Sequence, residues 1–566
     1  MGVVSVESIL VFVLAAVAVV VVVRWVADRI GLPAAALLPI VGIAYALLPG
    51  PNVALDPDII LTFVLPPLLY SAALDSSLLA IRRHLRTVVS LSVVLVLLTA
   101  LVIGFGFAWF VAGATLAAGI AVGAAAAPPD PVAALAVGRR VGLPPKLLTL
   151  IQGEGLLNDA TALTILSVAV TAATGAGFSF PSALGLFLFA AAGGIAVGVL
   201  VAFAVRLLSR PLSGDPLMVN AVSLATPFAA FLIAERIHVS GVLAVVVAGL
   251  IVGHQRPRST SGASRLQTSA VWRLVDFLLE GFVFLLIGQQ LPAVVRGLAK
   301  YDTSTIVIAV AISVGVVLLL RPLWLILTQS LPRSLHTWLG NEGTDADDTD
   351  GDQTPPERPE EHRNQRLNGR EVVAMTWSGT RGVISLAAIF TLPLTTDSGA
   401  PFPDRDLLLF CTFVVVLVTL VGQGLTFAPI VRGLGLRANE TDQARQRNEA
   451  RSASVEAALA TLDELEAQQH DDIQADVIDT MRRQLRARLA RYQGRLDQLR
   501  EADSTELPVS PRYEAALHVR RVAIGAQREE LLRWRDAGRL SDDGLRTLER
   551  ELDHEERLLP DRPARR

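Results

Sequence analysis

The sequence predicts an all-α polytopic membrane protein, with about 13 transmembrane helices followed by a helical, charged cytoplasmic tail. Three observations carry that reading. Hydrophobic residues make up 52% of the 566 positions and charged ones 18%, and the hydrophobic residues gather in blocks of about 20, the length of a helix that crosses a bilayer. Basic residues are concentrated in alternate loops, as the positive-inside rule requires. Beyond residue 435 the apolar blocks give way to amphipathic helical periodicity. A soluble chain of this length would divide into several cores, and the repeated apolar blocks leave little room for them.

The spans, in order, are 7–28, 33–50, 57–80, 86–112, 115–137, 145–172, 182–208, 216–235, 239–254, 268–296, 304–330, 371–395 and 406–432. Several exceed the length of a straight crossing, so tilted or broken helices are expected. The first apolar block, Ile9 to Val23, lacks a basic leader, and Arg24 and Arg29 follow it. That flank belongs to a retained helix rather than a signal peptide. One set of loops holds Arg24, Arg29, Arg82, Arg83, Arg86, Arg139, Arg140 and Lys146, then Arg206, Arg210, Arg256, Arg258 and Arg265. The opposite set has only Arg236, Arg296, Lys300 and Arg405. The amino terminus is therefore expected outside a cell membrane and the carboxyl terminus in the cytoplasm, which agrees with an odd span count.

Residues 1–435 form the expected membrane domain and 436–566 the tail. Within the former, 332–370 is acidic and rich in Pro and Gly, and is read as a disordered cytoplasmic loop. The tail is read as an assembly or stability module in preference to a ligand sensor, and Ser541 before two aspartates is an expected helix cap. Net charge is −3, which points to no nucleic-acid partner, whereas the lipid bilayer is a required one. Cys411 is the only cysteine and lies in an apolar block, so it is expected as a small buried hydrophobe.

Ionisable groups inside a bilayer are costly and mark ion or proton paths. The fifth span, GIAVGAAAAPPDPVAALAV, sets Asp130 between Pro129 and Pro131. Proline removes backbone donors and bars a regular helix, and the freed carbonyls need partners that a cation can supply. The alternative is a kinked, packed helix in which Asp130 caps the following half, and the buried charge weighs against it. The sixth span, LIQGEGLLNDATALTILSV, holds Glu154 and Asn158 four apart, hence on one helical face. Asp159 stacks over Gly155, whose missing side chain is expected to leave room for an ion. A dry site disfavours the charged carboxylate, so a proton and a cation can compete for it. Interhelical polar glue is the weaker alternative.

The twelfth span, EVVAMTWSGTRGVISLAAIF, places Arg381 between Gly379 and Gly382, and a buried guanidinium needs an acid, with Glu154 or Asp130 available. The glycines suggest a second broken helix. The fifth and twelfth spans cross in opposite directions, which predicts two inverted six-helix repeats, helices 1–6 and 8–13. Half-helix ends meeting there need charges of both signs, which Asp130 and Arg381 supply. Glu280 is read equally as path-lining or as an interfacial contact. Glu235 and Arg236 snorkel at a helix end, and Arg321 before Pro322 makes a structural pair. None of the eight histidines falls well inside a span, which argues against an imidazole proton relay.

VLPPLLYSAAL, PPDPVAALAVGRRVGLPPKLLTLIQGEGLLNDATAL, VSGVLAVVVAGL, FVFLLIG and WSGTRGVISLAA, in this order, resemble the motifs of monovalent cation/proton antiporters, in the sodium/proton exchanger branch (NhaP/NHE-like) with a helical cytoplasmic tail. The resemblance implies a homodimer, an elevator-like movement of a core domain, a part in pH homeostasis, and no cofactor beyond the transported Na+ and H+. It implies that Asp159 binds ion and proton, with Asp130 and the Pro129 carbonyl beside it. Asn158 stands where the electrogenic branch has aspartate, which implies electroneutral exchange, and Glu154 with Arg381 resembles a structural ion pair. Three positions depart from the pattern: Pro129 replaces threonine, Gly155 replaces a serine of many relatives, and Ser71 replaces an acid of several. With fewer oxygen side chains, K+ or Li+ stays open beside Na+. An intramembrane aspartyl protease using Asp130 and Asp159 would want a Gly-x-Gly-Asp element, which neither acid has. A cation channel shares the residues but predicts conductance.

Overall fold

Runs of Leu, Val and Ala broken by Gly and Pro dictate helices that stop where proline removes a donor. The computed structural model describes residues 6–30, 34–47, 60–174, 180–212, 215–259, 262–330, 367–396, 399–468, 472–501, 511–537 and 539–557. Among these residues the chain is helical, and the extended pairing is an isolated bridge between Thr395 and Pro401. The chain divides into two units, Met1–Ala438 and Asn439–Arg566.

The first unit opens with α1 (Val6–Ile30), α2 (Ala34–Ala46) and α3 (Ile60–Leu74). The span expected at 57–80 stops at Leu74, because Ser77 accepts from the Ala80 N–H at 3.2 Å and starts a separate α4 (Leu78–Arg83). Next come α5 (Leu85–Phe110), α6 (Leu116–Ala126), α7 (Pro131–Val141), α8 (Pro145–Thr174) and α9 (Phe180–Leu212). Then follow α10 (Pro216–Arg236), α11 (Gly241–Ser259), α12 (Gly262–Arg296) and α13 (Thr303–Ser330). The unit ends with α14 (Gly369–Trp377), α15 (Val383–Phe390) and α16 (Arg405–Gly433). Helices α5, α8, α10 and α16, with most of α9 and α13, are long and apolar enough to cross a membrane.

The expected loop at 332–370 lies outside the described residues except for its end, which is already ordered. There Asn368 and Glu371 form a reciprocal capping box that starts α14. Backbones of α2 and α12 meet where both lack a side chain: a Cβ on Gly288 would lie 2.0 Å from the Pro39 carbonyl oxygen. Cys411 is fully buried on α16, as expected. Single π turns interrupt α5 at Ser90–Val94 and α16 at Val418–Gln423, and both face the site described below.

The second unit contains α17 (Glu440–Gln468), α18 (Asp472–Glu501), α19 (Pro511–Asp536) and α20 (Asp542–Arg557). Arg482 of α18 reaches Asp463, at 3.0 Å, and Glu466 of α17. Ser541 caps α20 as expected, accepting from the Gly544 N–H at 3.1 Å.

Candidate functional site

Two interrupted helices meet at the centre of the first unit. The fifth predicted span is α6 and α7, parted at residues 127–130 by the prolines, and the twelfth is α14 and α15, parted at 378–382 by the glycines. The two breaks are tied reciprocally. The Asp130 N–H donates to the Thr380 carbonyl at 2.6 Å, and the Thr380 hydroxyl donates to the Asp130 carbonyl at 2.9 Å.

Four helix ends are thereby left without intrahelical partners, and side chains of opposite charge satisfy them. The Asp130 carboxylate accepts from the Val132 N–H at 2.9 Å, capping α7. It also lies against Gly382, the N-cap of α15, so closely that a Cβ there would be 1.7 Å from Asp130 Oδ2. One carboxylate thus faces two positive helix N-termini. Arg381 takes the negative end of α6, donating from Nε to the Ala126 carbonyl at 3.1 Å and from Nη2 to Ala127 at 3.2 Å, while its N–H is held by Thr419 in the π turn of α16. The structure places Asp130 as the cap of α7 through Oδ1, the alternative that buried charge weighed against in the sequence, with Oδ2 against Gly382.

The ion pair differs from expectation. Glu154 pairs with Arg321 of α13 through two bonds, a short contact between Nη1 and Oε1 and a 2.9 Å bond from Nη2 to Oε2. Arg381, the expected partner, spends its donors on main-chain carbonyls, including Gly379. The physical reason is that a broken helix exposes more acceptors than one guanidinium can leave unsatisfied. Arg321 itself also serves a broken helix, donating from Nε to the Met375 carbonyl near the end of α14 at 2.9 Å.

Helix α8 presents its polar face to this crossing, with Glu154 (2%), Asn158 (0%) and Asp159 (4%) nearly sealed from solvent. The Asn158 amide donates to the Pro129 carbonyl at 2.8 Å, and its buried Oδ1 has no hydrogen-bond partner. Asp159 and the half-buried Asp130 are close enough for their charges to interact. Gly155 does not leave room for an ion: its missing side chain is replaced by the Pro131 ring, whose Cγ would lie 2.4 Å from a Cβ there. The glycine lets α7 seat on α8.

Ser71 on α3 donates to Asp276 of α12 at 2.6 Å. Asp276, Thr380 and Thr419 are polar groups the motif reading passed over. Asp276 was detectable as the residue one helical turn before Glu280 on the same face. Glu280 lines a cavity of about 230 Å³ that extends from Val132, two residues from Asp130, to Arg24, Asp28 and Arg140. Arg140 and Arg24 pair with Asp28 at 2.8 and 3.3 Å. Arg236 is the last residue of α10, at a helix end as expected.

Acids and arginines buried where two discontinuous membrane helices cross define an ion-coupled membrane transporter. The family comparison agrees. The chain belongs to the sodium/hydrogen exchanger family, whose transmembrane model matches residues 15–433, a family of transporters rather than enzymes. An uncharacterised Na+/H+ exchanger of Mycobacterium tuberculosis is 33% identical over 522 residues, covering 90% of this chain and 88% of that protein. A sodium, potassium, lithium and rubidium/H+ antiporter of Bacillus subtilis is 31% identical over 383 residues, covering 66% of this chain and 53% of that protein. In fold, the chain resembles the solved sodium proton antiporter MjNhaP1 of Methanocaldococcus jannaschii, with a TM-score of 0.55 over 75% of this chain and 98% of that one, at 18% identity. The chain is a multi-pass membrane protein that exchanges cations for protons.

Proposed function

We propose that the protein exchanges Na+ for H+ at Asp159, one for one, with Asp130 and Asn158 completing the cation site. The observation that carries this reading is the convergence of a buried carboxylate, a half-buried carboxylate and an unpartnered amide oxygen at the crossing of two broken helices. The carbonyls at the ends of α6 and α14 are already engaged by Arg381 and Arg321, so the oxygens left for a cation are side chains and the second lone pair of the Pro129 carbonyl. Asp130 keeps two helix N-termini as counter-charges whether or not a cation is bound. Asp159 alone then changes occupant, holding a proton or a cation, and Asn158 adds no charge. That arithmetic makes the cycle electroneutral.

The crossing breaks further support two inverted six-helix repeats, with the α6–α7 and α14–α15 helices moving together as the carrier in an elevator-type cycle within a homodimer. The arginine-rich loops support an outside amino terminus and a cytoplasmic tail in a cell membrane, where export of Na+ on inward proton flow serves pH homeostasis. K+ and Li+ remain candidate substrates, because Gly155 offers no hydroxyl and Ser71 no carboxylate, and the Bacillus subtilis relative is named for several cations. The test is the change in an imposed pH gradient in proteoliposomes on adding Na+, K+ or Li+. Na+ collapses the gradient with the wild type, while Asp159→Ala abolishes the response; full exchange by Asp159→Ala would overturn the assignment, and steady current without a gradient change would make the protein a channel.

A further inference from the structure

A second polar cavity, of about 510 Å³, lies away from the crossing of broken helices, where the ends of α3, α9, α10, α11 and α12 converge. Its chemistry is opposite in sign. Arg206 and Arg210 come from the last turns of α9, and His254 and Arg256 from the last turns of α11, with Ser209 and Ser223 beside them. None of the lining residues is acidic. Asp215, at the start of α10, is engaged as a helix cap, accepting from the Leu217 N–H at 2.8 Å. Asp75 acts on Arg256 from nearby, with Arg265 opposing it. Helices α10 and α12 enter from their N-terminal side, through Val219 and Thr268, and α3, α9 and α11 from their C-terminal ends, so the helix dipoles offset one another and the positive field is that of the basic side chains.

Arg206 and Arg210 are exposed at the mouth, Arg256 is half-buried, and the floor is the fully buried Tyr70. On the same turns of α9 and at the start of α10, beside the lining residues in the chain, Phe203 is 64%, Leu207 59% and Leu217 69% exposed. All the contributing helix ends belong to the side whose loops are rich in arginine.

We propose that this cavity binds a phosphate-bearing anion, in the membrane the headgroup of an anionic phospholipid. Planar guanidinium groups hold phosphate oxygens two at a time, and basic pockets between membrane helices suit lipid headgroups. A soluble phosphate needs the arginines but not the exposed apolar side chains of Phe203, Leu207 and Leu217 on the same helix ends, which suit acyl chains. None of these residues belongs to the Asp130–Asp159 site, so the inference stands independently of the exchange mechanism.

The experiment uses the purified full chain in neutral detergent. Thermal stability and native mass spectrometry are followed while phosphatidylglycerol, phosphatidylcholine, inorganic phosphate or pyrophosphate is added. Phosphatidylglycerol is expected to bind and stabilise the wild type and phosphatidylcholine to do neither. Its affinity falls about fivefold for Arg206→Gln or Arg210→Gln alone and about a hundredfold for Arg206→Gln/Arg210→Gln/Arg256→Gln. The exposed single variants guard against misfolding of the triple one. Arg82→Gln/Arg83→Gln/Arg86→Gln, which removes as much charge from the exposed junction of α4 and α5, is expected to bind like the wild type. Arginine-dependent binding of pyrophosphate without phosphatidylglycerol would keep the anion site and make its ligand soluble. Equal binding by the wild type and the triple variant in every arm, or equal loss in the Arg82/Arg83/Arg86 control, would overturn the proposal.

Discussion

Replacing Glu154 by glutamine keeps the shape of the side chain and removes the charge that grips Arg321. Both partners are almost fully buried, at 2% and 3% exposure, so water cannot take over the freed guanidinium. A buried pair broken at one end costs about 3–5 kcal/mol, because the surviving charge is left uncompensated. Part of that is recovered in Glu154→Gln/Arg321→Gln, where no orphan charge remains, although the Met375 carbonyl then loses its 2.9 Å donor. The assay is reversible unfolding in mixed micelles, read as two double-mutant cycles. One couples residue 154 to 321 and the other couples 154 to 381. The expected coupling is about 2–3 kcal/mol for the first pair and less than half of that for the second, since Arg381 binds carbonyls. Equal couplings, or a Glu154→Gln loss below about 1 kcal/mol, would refute the assignment of Arg321 as the partner.

Other consequences are read off the same contacts. Gly382→Ala would drive a methyl group into Asp130, given the 1.7 Å approach, and is expected to abolish exchange in proteoliposomes while Gly369→Ala, whose added Cβ meets nothing within 4 Å, leaves it intact. Gly155→Ser, which restores a hydroxyl of many relatives, is expected to destabilise by about 1–3 kcal/mol through overpacking on Pro131, measured by thermal unfolding; a gain in Na+ affinity without loss of stability would contradict that packing. Asn158→Ala frees the Pro129 carbonyl from its 2.8 Å donor and should raise the KM for Na+ by about tenfold, a loss of roughly 1–3 kcal/mol, with the proton dependence retained. Clamping the membrane potential at several values should leave the exchange rate unchanged, and a potential-dependent rate would sink the electroneutral cycle.

The long spans and both helix breaks were legible in the sequence because bilayer length and proline or glycine punctuation act locally. Asp130 and Arg381 were legible as opposite charges at half-helix ends for the same reason. The partner of Glu154 was not. Choosing between Arg321 and Arg381 depends on how many orphan carbonyls a crossing creates, which is a property of two breaks brought together from residues far apart in the chain. Gly155 misled in a similar way, since an absent side chain leaves space that packing fills, here with Pro131. Asp276 was visible as an acid one turn before Glu280, but its hydrogen bond to Ser71 joins α12 to α3, a pairing that neither helix alone specifies.

The central claim is that a proton and a cation contend for the same carboxylate. Equilibrium binding of radioactive Na+ to the purified protein, measured across a pH series, tests it most directly. Competition at Asp159 predicts that the apparent Kd rises about tenfold for each pH unit of acidification once the carboxyl is being protonated, and that Asp159→Asn binds no Na+ at any pH. Binding of Na+ that ignores pH, or that survives in Asp159→Asn, would contradict the account.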